Sequence, residues 1–348
     1  MQQALETLLS GGTLSEDATR AVFDRMLEGE EEPARIAALL TLMQARGVSE
    51  DMLVGAARAM RERVARVPYT PRAGETVIDT CGTGGAAKTF NISTASAFVT
   101  ASASALPGSG QRIRVAKHGN RSRTGRGSAE ALAMLGVNVD ASPETQARCL
   151  RDVGVCFCFA IHHHPATKHV APVRKALAFP TIFNLLGPLT NPALAPRQLL
   201  GVFAPEFVEP MARALSRLGS ERAAVVHGAG RMDEISTSGP TRIAHCEGSR
   251  VWVEEFDPAA LGIARATTES LAASTLEEAA DILRRVLEGE RGPARDIVEV
   301  NSAMALWVGG AAPSPEAGLS LAREAIERGA ALATLRGLVE ASHRSADA

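Results

Sequence analysis

Between Val115 and Ser128 the chain reads VAKHGNRSRTGRGS, which sets Lys117, His118, Arg121, Arg123 and Arg126 among Gly119, Gly125 and Gly127. Glycines let a backbone fold back and present its N–H groups at close range, and lysine and arginine add charge and forked donors. An anion with several oxygens, phosphate or pyrophosphate first, is the natural ligand. A run of charges is ordinarily a solvated face. This one follows the short apolar run Ile113–Ala116 and contains Asn120, and strand ends are where α/β proteins hold ligands.

Three further stretches carry polar chemistry at the ends of apolar runs. Gly82-Thr83-Gly84-Gly85 follows Thr76–Cys81, and Lys88-Thr89-Phe90-Asn91-Ile92-Ser93-Thr94 then leads into an alanine-rich segment. A glycine turn between a strand and a helix N-terminus cradles anions through free N–H groups and the helix dipole. It matches neither the G-x-x-x-x-G-K-[ST] phosphate loop nor G-x-G-x-x-G, which disfavours nucleotide hydrolysis and dinucleotide binding. His227-Gly-Ala-Gly-Arg-Met-Asp-Glu-Ile-Ser236 brings Asp233 and Glu234 together. Adjacent carboxylates opposite phosphate-binding loops suit Mg²⁺, which takes one or two carboxylates plus phosphate oxygens and water, although such a pair is commonly just solvated surface. The passage His162–Pro192 opens with three successive histidines, whose lack of spacing argues against zinc. It also carries Arg174 among apolar neighbours, where a guanidinium needs an anionic partner, either a small carboxylate ligand or an internal salt bridge.

Something must hold these pieces in place. With 348 residues and 45% hydrophobic content the chain can bury a large core. A net charge of −2 provides no global field toward nucleic acid or a membrane surface. Five cysteines without framework spacing point to reduced thiols in a cytoplasmic protein, and Cys156 and Cys158 read as small buried residues on one strand face. The start, MQQALETLLSGG, has no signal-peptide character, and no apolar run approaches about 18 residues.

The first 67 residues predict helices: one starting at a Thr13/Glu16 capping box, one from Pro33 to Gly47, and one opened by Ser49. Their oily faces must pack on the rest of the chain, on a second subunit, or on both. Val67-Pro-Tyr-Thr-Pro71 reads as a stiff linker. From Glu75 onward, short apolar runs at Thr76–Cys81, Ile113–Ala116, Val137–Val139, Val155–Ile161, Leu199–Phe203 and Ala223–Val226 alternate with helices such as Ser128–Leu135 and Glu206–Leu218. That pattern is an α/β sheet, mostly parallel. RIAHC and RVWVEEF around Glu247-Gly-Ser249 predict an edge hairpin, and helix returns from Thr275 to about His343.

Taken in order, GTGG, FNISTASAF, VAKHGNR, HHPA, APVRKAL, TIFNLLGPLTNP and MDEIS resemble the anthranilate phosphoribosyltransferase family across nearly the whole chain. The resemblance implies a fold shared with pyrimidine nucleoside phosphorylases: a small helical domain over residues 1–70, joined by part of 162–192, and a larger α/β domain over 71–348. It implies homodimers joined through the helical domain. Its substrates would be phosphoribosyl pyrophosphate and anthranilate, joined in tryptophan biosynthesis with release of pyrophosphate. By this similarity Gly82, Gly85, Thr89, Asn91, Ile92, Ser93, Thr94, Lys117 and the following loop (Gly119, Arg121, Ser122, Arg123, Thr124) would hold phosphoribosyl pyrophosphate. Ser93, Asp233 and Glu234 would carry Mg²⁺. Asn120 and Arg174 would meet anthranilate, with His118, His164 and Pro188 along its approach and His118 the candidate for assisting proton loss.

Two departures touch phosphate and metal. The turn after GTGG is short, with Ala86 where an acidic residue often stands, and the basic loop is a residue shorter and richer in arginine, so Arg123 or Arg126 would meet pyrophosphate directly. The rival readings are a nucleoside phosphorylase, lacking the Asp-Glu metal pair, and a related nucleic-acid-binding protein, which should show a broad basic surface.

Overall fold

The computed structural model describes residues 1–84, 89–122 and 125–344. It opens with helices Gln2–Leu9, Glu16–Glu28, Pro33–Arg46 and Glu50–Glu62. The second starts at Ser15, whose hydroxyl accepts the Ala18 N–H, and not at Thr13 as the spacing predicted. Its boundary therefore lies two residues later, with Glu16 already in the first turn. Pro33 occupies a first turn, and Ser49 caps the fourth helix as expected. The stripes Val22, Phe23, Met26 and Ile36, Leu39, Leu40, Met43 are buried within the chain itself. Each such side chain contributes about 1.5–3 kcal/mol. Helices Ala171–Leu177 and Ile182–Leu186, from the His162–Pro192 passage, pack against the third and fourth helices.

The remainder is built on one seven-stranded sheet: β1 (Glu75–Gly82), β2 (Arg112–Gly119), β3 (Val155–Phe159), β4 (Arg197–Gly201), β5 (Arg222–Gly228), β6 (Thr241–Glu247) and β7 (Arg250–Phe256). The order is β3-β2-β1-β4-β5-β6-β7, with β1 to β5 mutually parallel and β6–β7 the antiparallel edge hairpin. Strand alternation divides the core. Leu199, Ala224, Val226 and Ile243 join the cluster formed with helices Ile92–Ala103 and Pro293–Val308, whereas Leu200, Ala223, Val225, Ala244 and Cys246 join the helical-bundle cluster. All five cysteines are free and buried.

Three expected strands differ from those formed, the first being Leu199–Phe203, which is β4 at Arg197–Gly201 and ends before Val202. Val137–Val139 forms no strand: Asn138 donates its backbone N–H to Ser342 Oγ (3.0 Å) and its amide to Ser342 O (3.1 Å). The alternating burial of the two valines is that of a connection pinned by the C-terminal helix Ala330–His343, whose partner groups no local pattern reveals. β3 ends at Phe159 instead of Ile161, because Ala160–His163 turns into a short helix.

Strand order runs outward from β1 toward β2 and β3 on one side and from β4 toward β5 on the other. The crevice between β1 and β4, at the carboxyl ends, is the switch point where such sheets hold ligands.

Candidate active site

All four chemically distinctive stretches leave the sheet at this end. The glycine turn follows β1, the basic loop follows β2, the three histidines follow β3, and the Asp233–Glu234 loop follows β5. The alternation of β2 then sends neighbouring side chains to opposite faces. Buried Lys117 donates to Thr80 O (2.6 Å) and Ser93 Oγ (3.0 Å) on one face, while the His118 ring meets Gly187 O (3.1 Å) and His164 (3.2 Å between the Nε2 atoms) on the other.

On the Lys117 side, helix Ile92–Ala103 begins at Asn91, whose amide donates to Arg126 O (3.2 Å) and ties this turn to the basic loop. Asn91 Oδ1 and Thr94 Oγ1 are buried without a hydrogen-bond partner among the described residues. Unsatisfied buried polar atoms at a helix N-terminus call for a polar ligand. Ile92 is wholly buried and contributes side-chain packing and an N–H at that terminus. Thr89 pairs with Ala272 in an isolated bridge, and Phe90 N–H donates to Leu271 O (3.1 Å). Asp233 stands against the end of β1, so that a Cβ on Gly82 would lie 2.5 Å from its Oδ2. Burial, and for Glu234 also the neighbouring Asp233 charge, pushes both carboxyls above their ordinary range, with Lys117 opposing the shift at Glu234. Burial lowers the Lys117 ammonium against the pull of Asp79 and these carboxylates.

On the His118 side, the three histidines diverge. His162 bonds Asp140 (2.7 Å), His163 Nδ1 bonds Ala65 O (2.6 Å), and His164 bonds His118. Since a carbonyl only accepts, His118 carries its proton on Nδ1 toward Gly187 O, and its Nε2 receives the His164 Nε2–H. Burial holds His118 well below the usual imidazole range and lowers His164 to about 4, so the pair is neutral. Arg174 lies with its guanidinium 4.9 Å from the centre of the Phe183 ring and forms no ion pair among the described residues; burial lowers its pKa. The internal salt bridge that was the alternative for this residue is therefore absent there. The turn after Phe183 is fixed at three successive carbonyls: Gly187 O by His118, Pro188 O by Gln198 Nε2 (2.6 Å), and Leu189 O by Arg61 Nε (2.7 Å).

The chain matches the family model described as "Glycosyl transferase family, a/b domain" over residues 74–332 and the "Glycosyl transferase family, helical bundle domain" over residues 2–64. It is 48% identical to the anthranilate phosphoribosyltransferase of Rubrobacter xylanophilus, covering 99% of this chain and 98% of that protein. The chain belongs to the anthranilate phosphoribosyltransferase family. The family member of Moorella thermoacetica is 44% identical, with 97% of each chain covered. The crystal structure of anthranilate phosphoribosyltransferase from Thermus thermophilus superimposes with a TM-score of 0.89 at 38% identity, covering 98% of this chain and 99% of that one. The Saccharomyces cerevisiae enzyme in complex with PRPP and Mg gives 0.85 at 25% identity, covering 98% and 97%.

Set against that family, most of the residues singled out from the sequence gather at the β1–β4 crevice. Gly82, Thr89, Asn91, Ser93, Thr94 and Lys117 frame one side with Asp233 and Glu234, and His118, His164 and Pro188 frame the other. Gly119, Asn120, Arg121 and Ser122 form the mouth, where Asn120 Oδ1 accepts the Arg121 N–H (2.8 Å) and the Arg121 guanidinium lies 5.5 Å from the Phe159 ring centre. Gly85, Arg123 and Thr124 lie outside the described residues, as do Ala86 and Lys88. Arg126 donates to the Ala273 carbonyl, tying the basic loop to the segment around Ala273. For Mg²⁺ the donor set fits: two adjacent, half-buried carboxylates that repel each other need a proton or a cation, the Ser93 hydroxyl bonds Lys117, whose ammonium these carboxylates attract, and phosphate oxygens and water complete such a shell.

Sequence reasoning missed four supporting residues. Asn301 brackets the Asp233–Glu234 loop by accepting the Ile235 N–H (3.0 Å) and donating to Ile235 O (2.9 Å). Asp79, Gln198 and Arg61 hold the His118 strand end and the Pro188–Leu189 turn. Each is a polar residue inside an apolar run, VIDTCG, RQLLG, VEVNSAMAL or AARAMRE, and a buried polar group is the informative exception.

Proposed function

We propose that this chain transfers the phosphoribosyl group of phosphoribosyl pyrophosphate to the amine of anthranilate, forming N-(phosphoribosyl)anthranilate and pyrophosphate in tryptophan biosynthesis. The observation that carries the reading is the opposed pair Lys117 and His118, one reaching the phosphate-type helix terminus and the carboxylate loop, the next reaching the aryl side. Two sites for two reactants thus meet at one strand end.

In this reading, Gly82, Thr89, Asn91, Ile92, Ser93, Thr94 and Lys117 hold the sugar and its phosphates, with the buried Asn91 Oδ1 and Thr94 Oγ1 finding their partners there. Gly119, Arg121 and Ser122 close over the mouth. Ser93, Asp233 and Glu234 would hold Mg²⁺, which supplies charge stabilisation for the departing pyrophosphate. The C1–oxygen bond breaks with its electron pair leaving on pyrophosphate, and the aryl amine forms the new C1–nitrogen bond. Lys117 offsets negative charge on the leaving group. Arg174 pairs with the anthranilate carboxylate, Asn120 meets its polar edge, and Pro188 with the neutral His118–His164 pair sets its approach, so alignment supplies much of the rate. The proton then leaves a cationic aryl amine, which is acidic enough for a weakly basic imidazole. No covalent enzyme intermediate is required.

The helical unit is taken as residues 1–70 with part of 162–192, and the α/β unit as 71–348. A homodimer joined through the helical unit belongs to the same reading, as does a cytoplasmic location without nucleic-acid or membrane partners. No helix among the described residues is long and apolar enough to cross a membrane. Light scattering on the eluted protein tests the dimer. Loss of anthranilate fluorescence on mixing with phosphoribosyl pyrophosphate and Mg²⁺ tests the reaction. Arg174→Ala should raise the anthranilate KM by roughly thirtyfold or more, since removing one partner of a desolvated charge pair costs about 2–5 kcal/mol. Asp233→Ala should instead impair use of the phosphorylated sugar. Parent-like kinetics in both variants would overturn the site assignment.

A further inference from the structure

The aryl side of the crevice is framed by two groups on different elements, the His118 ring on β2 and the Pro188 turn, and one buried carboxylate stands behind both. Asp79 is wholly buried on β1; one of its oxygens accepts the His118 backbone N–H (3.0 Å) and the other faces Gln198 Nε2 (3.4 Å). Gln198 lies in register with Asp79 on the neighbouring strand β4 and is itself 3% exposed. Its amide nitrogen donates to Pro188 O (2.6 Å) and lies 3.3 Å from Cys81 Sγ. An amide can present either its oxygen or its nitrogen to a neighbour, and the partners decide which. Here a carboxylate and a carbonyl, both acceptors, demand the nitrogen.

We propose that Gln198, oriented by Asp79, is a positioning residue for the aryl acid, locking the Pro188 turn to the strand end that carries His118. The proposal rests on the transferase reading and adds residues that touch neither substrate. Gln198 separates the two substrates: its amide nitrogen meets Asp79, Pro188 O and Cys81 and none of the Lys117-face groups, so its loss loosens the aryl site and leaves the sugar-phosphate side in place, whereas Asp79 also pulls on the Lys117 ammonium.

Gln198→Met removes the donor while conserving length and volume. It should raise the anthranilate KM about tenfold, the usual effect of a buried carbonyl losing its hydrogen bond, while the phosphoribosyl pyrophosphate KM stays within about twofold. Asp79→Asn can still accept from His118 N–H, but its amide would then face the Gln198 amide and turn that side chain's oxygen toward Pro188 O. It should therefore raise the anthranilate KM by a similar factor. In the double variant the effects should not multiply, because both substitutions break one link. Circular dichroism and the thermal midpoint establish folding of each variant, and either single variant alone reads out the effect. An unchanged anthranilate KM in either folded variant, a parallel rise for both substrates in Gln198→Met, or multiplicative effects on the anthranilate KM would overturn the proposal while the parent remains active. A parent that never consumes anthranilate would sink the transferase reading and this proposal together.

Discussion

The carbonyl oxygen of Asp233 occupies the space where a side chain on Gly201 would begin. The loop carrying the paired carboxylates is therefore seated directly on the end of β4, and only a residue without a Cβ permits it. Gly201→Ala should lift that loop, costing about 1–3 kcal/mol as an overpacked site. Urea unfolding measures the cost. The kcat/KM for phosphoribosyl pyrophosphate should fall by about 100-fold or more, the usual scale for losing a group that stabilises the transition state.

Asp233→Asn and Glu234→Gln should separate stability from activity. The native fold holds both carboxyls above their ordinary range, whereas the unfolded chain ionises them freely, so the pair destabilises the native state as pH rises past the ordinary carboxylate values. In chelator at pH 8 either substitution should stabilise by about 0.5–2 kcal/mol while turnover collapses. Adding Mg²⁺ should raise the parent's thermal midpoint more than the variant's.

His164 gives a pH signature of the opposite group type. Its folded value of about 4 lies below the ordinary 6.5, so between those limits the unfolded chain takes up a proton that the native state refuses. Stability should fall as pH drops from 6.5 toward 4, by something of order 3 kcal/mol from this group. His164→Gln should flatten that part of the profile in thermal melts taken half a pH unit apart.

Arg61 donates to Leu189 O (2.7 Å) and Leu218 O (2.9 Å) from a half-buried position, and desolvation lowers its guanidinium to about 10. Arg61→Met would strand both carbonyls. A loss of about 1–3 kcal/mol is expected, mainly from the Leu189 carbonyl, since water can reach the half-exposed Leu218. Chemical denaturation would register it, and Arg61→Lys should recover only part because one ammonium replaces a planar fork.

The architecture was largely legible because strand and helix periods differ and because glycine, serine and proline mark the boundaries. The sheet, its edge hairpin and the capped helices all followed from such local signals. Val137–Val139 was misread because a three-residue apolar alternation does not say whether its backbone groups meet a strand or Ser342, some 200 residues away. The candidate site residues stood out because charge and glycine cluster in loops. Asp79, Gln198 and Asn301 were harder: each sits singly in an apolar run, and its partner is set by strand order or by a helix crossing that no short window contains.

The turn Gly187–Leu189 hangs from three side chains drawn from β2, β4 and the fourth helix of the bundle, and none of the three bonds uses the Pro188 ring. Scaffold and lining are consequently separable. A replacement at position 188 would alter a buried ring of the turn without removing any of the three suspending bonds, whereas a replacement at His118, Gln198 or Arg61 removes one of them.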